Sequence, residues 1–293
     1  MAFAAHLPTT DVGSTGPVLR TVGDVGRIRL VWRVPTDDAG DWDVHGIATD
    51  DAARSWTPTR ETLLATVSEP RFAHEGLGPA AQRWSYRVVP APASLHPPLG
   101  PITATSRTSV VLSGRPVAVV GSFDGSGLEL ALAPTGFVHY QSTFPRDVDF
   151  RFGFDRPEVT WSYLQPGPDD AWAGRRGHRF RLRFDLDRAP EQDLDLALWL
   201  TDRHATRAGS ASVLVNGCPG ESLFFDEASA SSTVSLPATT RASGPEPGGG
   251  PAYIEREIDR RLLRVGENII DLVKDHGSWI AYDAVGVFAR AGS

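Results

Sequence analysis

The sequence predicts an all-β protein built from two sandwich-like domains. Turn formers are abundant, with 29 Gly and 23 Pro in 293 residues, and no segment sustains a long helical period. Several short stretches alternate apolar and polar residues, the mark of a strand with one face buried. The length suits two domains, and 41% hydrophobic residues can fill two ordinary cores.

Residues 1–16 are rich in Gly, Ser, Thr and Pro without periodicity and read as a loose tail. The first alternating run is Arg27–Val34, with Ile28, Leu30, Trp32 and Val34 on one face and Arg27, Arg29 and Arg33 on the other. Pro35 and the Asp37-Asp38-Ala39-Gly40 cluster end it. Further short strands are expected at Asp43–Thr49, Thr62–Val67, Trp84–Val89 and Ile102–Val111, with 90–101 as an internal loop. Strands of this length and spacing suggest a small β-sandwich. A boundary falls at Ser113-Gly114-Arg115-Pro116, before the apolar run Val117–Val120.

Beyond that boundary, Arg179–Asp187 alternates without a break, directing Phe180, Leu182, Phe184 and Leu186 inward. Leu194, Leu196, Leu198 and Leu200 repeat the pattern, so Ala189–Gln192 reads as the turn of an antiparallel pair. Val213–Val215 runs into an Asn216-Gly217 turn, and 237–252 reads as a flexible loop. Tyr253–Leu263 is ambiguous: Ile254, Ile258 and Leu262 recur at helical spacing, yet a strand followed by a short turn fits equally well. Ile269–Val273 and Trp279–Phe288 are expected as the last strands. No internal repeat of the length used by propellers or solenoids is present.

Charge and motifs exclude several functions. A net charge of −7 argues against non-specific binding to nucleic acid or anionic membranes. No apolar run approaches the length of a membrane span. The start, Met1–Leu7, lacks the basic and apolar regions of a signal peptide. The lone Cys218 excludes an intrachain disulfide framework and a multi-Cys zinc site. Lys274 is the only lysine, which restricts where a catalytic lysine could sit. The Gly-x-x-x-x-Gly-Lys phosphate loop, the Gly-x-Ser-x-Gly elbow and the His-Glu-x-x-His metal motif are all missing. The eight His never occur in close pairs, and Asp37-Asp38, Asp50-Asp51, Asp169-Asp170 and Asp193/Asp195 read as solvated faces or turn formers.

The chemistry concentrates between residues 139 and 178. His139, Tyr140, Trp161, Tyr163, Trp172, Arg175, Arg176 and His178 fall in apparent loops or strand ends. Aromatic rings stack on the C–H faces of sugars, and an Arg fork can clamp a uronic-acid carboxylate. Trp161 and Tyr163 fit the core of a sandwich strand as well, whereas Trp172–His178 is Gly-rich and charged, unlike core. Tyr140, Trp161, Tyr163, Trp172, Arg175, Arg176 and His178 form the candidate carbohydrate-binding set, with no catalytic residue and no metal ligand assigned. Asp283 lies inside the last apolar strand and must find a partner: a backbone donor, an Arg, or Ca²⁺. A hydrogen-bonded structural role is the simpler account, and no other cofactor is expected.

Two stretches resemble known families. Residues 17–111, with Trp32 on an early strand and Gly76-Leu77-Gly78-Pro79 leading to Trp84-Ser85-Tyr86-Arg87-Val88-Val89, resemble a fibronectin type III domain. Residues 116–290 resemble the C-terminal, carbohydrate-binding-module-like sandwich of rhamnogalacturonan lyase family proteins. The matching pieces are Val120–Gly125, Phe144–Gly153, Trp161–Pro166, Val213–Gly217, Gly266–Asn268 and Ser278–Val285. After the tail at 1–16, these resemblances imply a fibronectin type III-like domain at 17–112 and a jelly-roll-like carbohydrate-binding sandwich at 113–293. The lyase chemistry of the family resides in a large N-terminal domain with no counterpart here, so no catalytic residue carries over. The family is typically secreted, whereas this chain shows no signal. The implied function is a non-catalytic accessory protein for pectin-type acidic polysaccharide. The alternatives are a fragment or subunit of a lyase whose catalytic domain lies elsewhere, and a purely structural module that binds a protein partner.

Overall fold

The structure, a computed structural model, describes residues 18–33, 40–50, 55–91, 98–225, 244–245 and 247–290. The expected tail at 1–16, the turn at Asp37-Asp38 and residues 237–243 of the expected loop lie outside the described residues. The protein is all-β and divides into two compact units. The smaller takes in described residues up to Val22 and within 29–73 and 83–104; the larger takes in 23–28, 74–82 and the chain from Thr105.

The first seven strands are β1 (Leu19–Asp24), β2 (Arg27–Trp32), β3 (Asp41–Ala48), β4 (Leu63–Val67), β5 (Arg71–Glu75), β6 (Arg83–Ala91) and β7 (Leu99–Thr105). They form a three-stranded sheet in the order β1-β2-β5 and a four-stranded sheet in the order β4-β3-β6-β7. Alternation in β2 buries Leu30 and Trp32. The Trp32 ring meets Trp42 of the other sheet edge-on, with centroids 6.0 Å apart. The expected strand Ile102–Val111 is shorter than its β-branched composition suggests. It stops at Thr105, and Val110–Ser113 forms a helical turn in which the Ser109 side chain accepts Val111 N–H. Glu255 Oε1 accepts Val110 N–H at 3.0 Å, so a tertiary contact overrides strand propensity.

The larger unit carries β8 (Arg115–Gly121), β9 (Val148–Arg151), β10 (Leu164–Gln165), β11 (His178–Leu186), β12 (Leu194–Arg203), β13 (Ser210–Val215), β14 (Cys218–Pro219), β15 (Leu223–Phe224), β16 (Ala252–Ile258), β17 (Gly266–His276) and β18 (Ile280–Ala289). One sheet runs β10-β18-β12-β16 with β8 also on β18; the other runs β14-β13-β17-β11-β9 with β15 also on β13. Phe180, Leu182 and Phe184 of β11, Leu194, Leu196 and Leu198 of β12, and Ile270 and Leu272 of β17 fill the core between them.

The expected hairpin at Ala189–Gln192 is not one. β11 pairs with β17 and β9, whereas β12 pairs with β16 and β18. The turn therefore crosses from one sheet to the other, and both leucine-rich faces meet in the shared core. β12 is buried on both sides, because Ala197 packs with Val110 and Phe288, and Trp199 with Val25 and Tyr253. Tyr253–Leu263 resolves as strand β16 followed by a short 3₁₀ turn at Arg260–Leu262, capped by Asp259.

Register sets the ends of this sandwich. His178 at the start of β11 pairs with Lys274 near the end of β17, and β9 enters parallel to β11. The segments 136–147, 166–177 and 276–279 consequently gather at one end.

Candidate functional site

At that end, the loop 166–177 joins β10 to β11 and carries Trp172, Arg175 and Arg176. Its base is Asp170, only 4% exposed. Asp170 Oδ2 accepts Gly167 N–H at 2.7 Å, and Oδ1 accepts the Ser278 hydroxyl at 2.6 Å and Trp172 Nε1–H at 3.2 Å. Burial raises its pKa against these donors and the positive charge of Lys274. Trp172 is half-buried, with its ring edge-on to Phe137 (5.6 Å) and Tyr140 (6.0 Å). Gln141 Nε2 donates to the Trp172 carbonyl at 2.9 Å. The ring is thus fixed by contacts on several sides.

Below it runs a buried polar chain. His178 Nε2 faces the Ala173 carbonyl at 3.1 Å, so that nitrogen carries the proton and Nδ1 accepts the Tyr140 hydroxyl at 3.2 Å. Burial, helped by Arg176, lowers the His178 pKa to about 4, which leaves the ring neutral at ordinary pH. Gln165 Nε2 donates to the carbonyls of His178 and Leu272, and its Oε1 accepts the Tyr282 hydroxyl at 2.5 Å. Each member satisfies the next, as a buried polar network must.

The structure separates the seven sequence candidates into two groups. Tyr140, Trp161, Tyr163 and His178 are core side chains, each at most 1% exposed. Trp161 meets Phe150, Phe180 and Tyr282 edge-on, and Tyr163 bonds the Phe137 backbone through its hydroxyl. No face of these rings is open to a sugar; they are corrected to structural residues. The parity of β11 carried the signal for His178, which shares the inward set with Phe180, Leu182 and Phe184. Trp172, Arg175 and Arg176 reach the surface in one turn, where Gly174 and Arg175 take positive φ of 92° and 54°. Arg176 donates to Asp147 at 2.7 Å and to the Gly177 carbonyl. Burial and these Arg contacts act in opposite senses on Asp147, and its pKa ends below the usual carboxylate value. The exposed Arg175 guanidinium has no hydrogen bond or ion pair among the described residues. Asp170 is the residue that sequence reasoning misses: the Asp169-Asp170 pair reads as a solvated face or turn former, yet Asp170 is buried.

Asp283 in β18 accepts Gly125 N–H with both oxygens at 2.9 Å and Gly127 N–H at 3.1 Å. Burial, with Asp124 and Glu129 nearby, pushes its pKa up to about 7 against those donors. The groups aimed at its oxygens are N–H donors, which a cation would have to displace. Among the described residues, no group of three or more His, Cys, Asp or Glu side chains is arranged to hold a metal. At the other end of the sandwich, a cleft of about 680 Å³ is lined by residues including Arg115, Val117, Leu186, Arg188 and Gln192. It contains no aromatic ring and so offers no stacking surface.

The sequence of residues 119–287 matches the family model described as CBM-like, polysaccharide lyase family 4, domain III. The chain belongs to this family. The matched span contains Asp170, Trp172, Arg175, Arg176 and Asp283 of the domain III sandwich. No curated protein matches the chain. Among solved structures, a family 35 carbohydrate binding module from an environmental isolate shares 15% identity, with a TM-score of 0.26, over 40% of this chain and 72% of the module. BuGH86 in complex with neoagarooctaose shares 12% identity at a TM-score of 0.27, over 93% of this chain and 34% of the other. An alpha-L-rhamnosidase from Dictyoglumus thermophilum shares 13% identity at a TM-score of 0.25, over 93% and 28%. The chain thus spans about a third of those two enzymes' length, and scores this low carry no argument about its own ligand.

Proposed function

We propose that the protein is a non-catalytic carbohydrate-binding module for acidic polysaccharide of the pectin type, rhamnogalacturonan in the first instance. The observation that carries this reading is the pairing, in one surface turn, of the immobilised Trp172 ring with the unpartnered Arg175 guanidinium. The ring supplies a surface for the C–H face of a sugar, and the guanidinium matches a uronate carboxylate in charge and shape. Membership of a carbohydrate-binding-module-like family supports the same reading.

Residues 17–112 are proposed as a fibronectin type III-like spacer domain and 113–293 as the carbohydrate-binding sandwich. The three-on-four strand order of the first seven strands supports the former. A second reading, a surface for a protein partner, is favoured by Phe154 and Val159, which are 72% and 61% exposed within a hydrogen-bonded turn region.

Calorimetric titration with rhamnogalacturonan oligosaccharides, with and without EDTA, separates these readings. Saturable heat weakened by Trp172→Ala or Arg175→Ala supports the glycan site. A loss confined to EDTA points to calcium. No heat at millimolar ligand overturns the reading for this glycan and leaves the partner surface.

A further inference from the structure

We propose that Asp170 is the positioning residue of this face, holding both the Trp172 ring and the Arg175 turn in their ligand-ready arrangement before any glycan arrives. The proposal rests on the reading of Trp172 and Arg175 as the glycan contacts.

The loop that carries Trp172 and Arg175 has little to order itself. Residues 166–177 contain Pro166, Gly167, Pro168, Gly174 and Gly177, a composition that does not order itself. Asp170 supplies the order from both ends of the residue. Its side chain takes three donors: Gly167 N–H on one oxygen, Ser278 and Trp172 on the other. Its main-chain carbonyl accepts Ala173 N–H at 3.2 Å and Arg175 N–H at 3.0 Å. Ser278, 1% exposed at the threshold of β18, connects this cluster to the sandwich. Beneath it the packing is tight, since a Cβ on Gly167 would lie 2.2 Å from the Gly277 carbonyl oxygen.

Arg175 gives an independent indication. It occupies the left-handed region, which strains a residue with a long side chain. The backbone bond to Asp170 closes that turn and holds the strain. A glycine would sit there without strain but would bring no guanidinium.

A carboxylate suits this place and an amide does not. All three donors point at acceptor-only oxygens, whereas the isosteric Asn must turn an NH₂ toward one of them. An indole N–H that donates to an anion also pushes electron density into its ring. That strengthens the negative π face on which a sugar C–H surface rests. A ring and guanidinium held in place beforehand lose less freedom on binding.

The test compares Asp170→Asn, Ser278→Ala, Trp172→Ala and Arg175→Ala in the full chain. The indole Nε1–H resonances and their hydrogen exchange are followed without ligand, and affinity for rhamnogalacturonan oligosaccharides is measured by calorimetry. In Asp170→Asn the Trp172 indole resonance is expected to shift and its exchange to accelerate about tenfold, with the Trp161 and Trp279 indoles unmoved. Affinity is expected to fall about fivefold to tenfold. Ser278→Ala, which removes one donor to the same carboxylate, should produce a smaller change of the same sign, and it carries the comparison if Asp170→Asn does not fold. An unchanged Trp172 indole in a folded Asp170→Asn overturns the proposal. So does full affinity in Asp170→Asn while Trp172→Ala abolishes binding. Wild-type affinity in both Trp172→Ala and Arg175→Ala instead overturns the reading of this face as the glycan site.

Discussion

Arg175 and Arg176 are adjacent in sequence and opposite in role. Arg176 is bound to Asp147 at 2.7 Å, while Arg175, turned out by its positive φ, has no ion pair among the described residues. Only the second has its guanidinium free for a ligand anion. Arg175→Ala should therefore weaken binding of a uronate-containing oligosaccharide about tenfold or more, the scale of a charge-assisted hydrogen bond. Arg176→Ala should weaken it less. Calorimetry on the two variants at matched salt checks the order, and equal losses would show that Asp147 does not hold Arg176 back.

Asp283 makes stability depend on pH. Its folded pKa of about 7 lies above the unfolded value near 3.8, so the folded state binds the extra proton. The contribution is greatest below about pH 4, declines as pH rises toward 7 and is flat beyond. The linkage amounts to at most about 4 kcal/mol. Chemical denaturation of wild type and Asp283→Asn between pH 4 and 8 should show this decline in the wild type alone. Parallel pH profiles would contradict the assignment.

Arg181 grips Asp271 with two hydrogen bonds of 2.7 and 2.9 Å, and Asp271 is 6% exposed. Removing the guanidinium leaves a buried carboxylate with Arg179 at 3.9 Å as the nearby cation. Arg181→Ala should destabilise the protein by about 2 kcal/mol. Arg156→Ala, at the exposed pair with Glu158, should leave the denaturation midpoint unchanged. Urea unfolding distinguishes the two.

Trp161 and Trp172 should separate stability from binding. Trp161, fully buried among Phe150, Phe180 and Tyr282, should cost about 3–5 kcal/mol when cut to Ala. Trp172→Ala should lower glycan affinity with a much smaller loss of stability. Thermal unfolding and titration of both variants provide the comparison.

The sequence by itself determined the fold class and much of the strand pattern. Strict alternation from Arg179 to Asp187 places a strand and names its inward set, because side chains in a strand alternate faces regardless of what covers them. The family motifs from Val120 to Val285 were likewise legible in one dimension. Pairing was not: the turn at Ala189–Gln192 looks like a hairpin locally, and only the partners β17 and β18 assign its two strands to different sheets. Burial of aromatic residues was legible only in part, since Trp161 and Tyr163 fit a core strand as well as a sugar site. Trp161 and Trp172 both precede strands in Gly- and Pro-containing sequence, yet one is enclosed by residues from distant strands and the other is held half open by Asp170. Composition can nominate a ring for stacking on a sugar. Whether its face is covered depends on residues far away in the chain, which only the tertiary structure brings together.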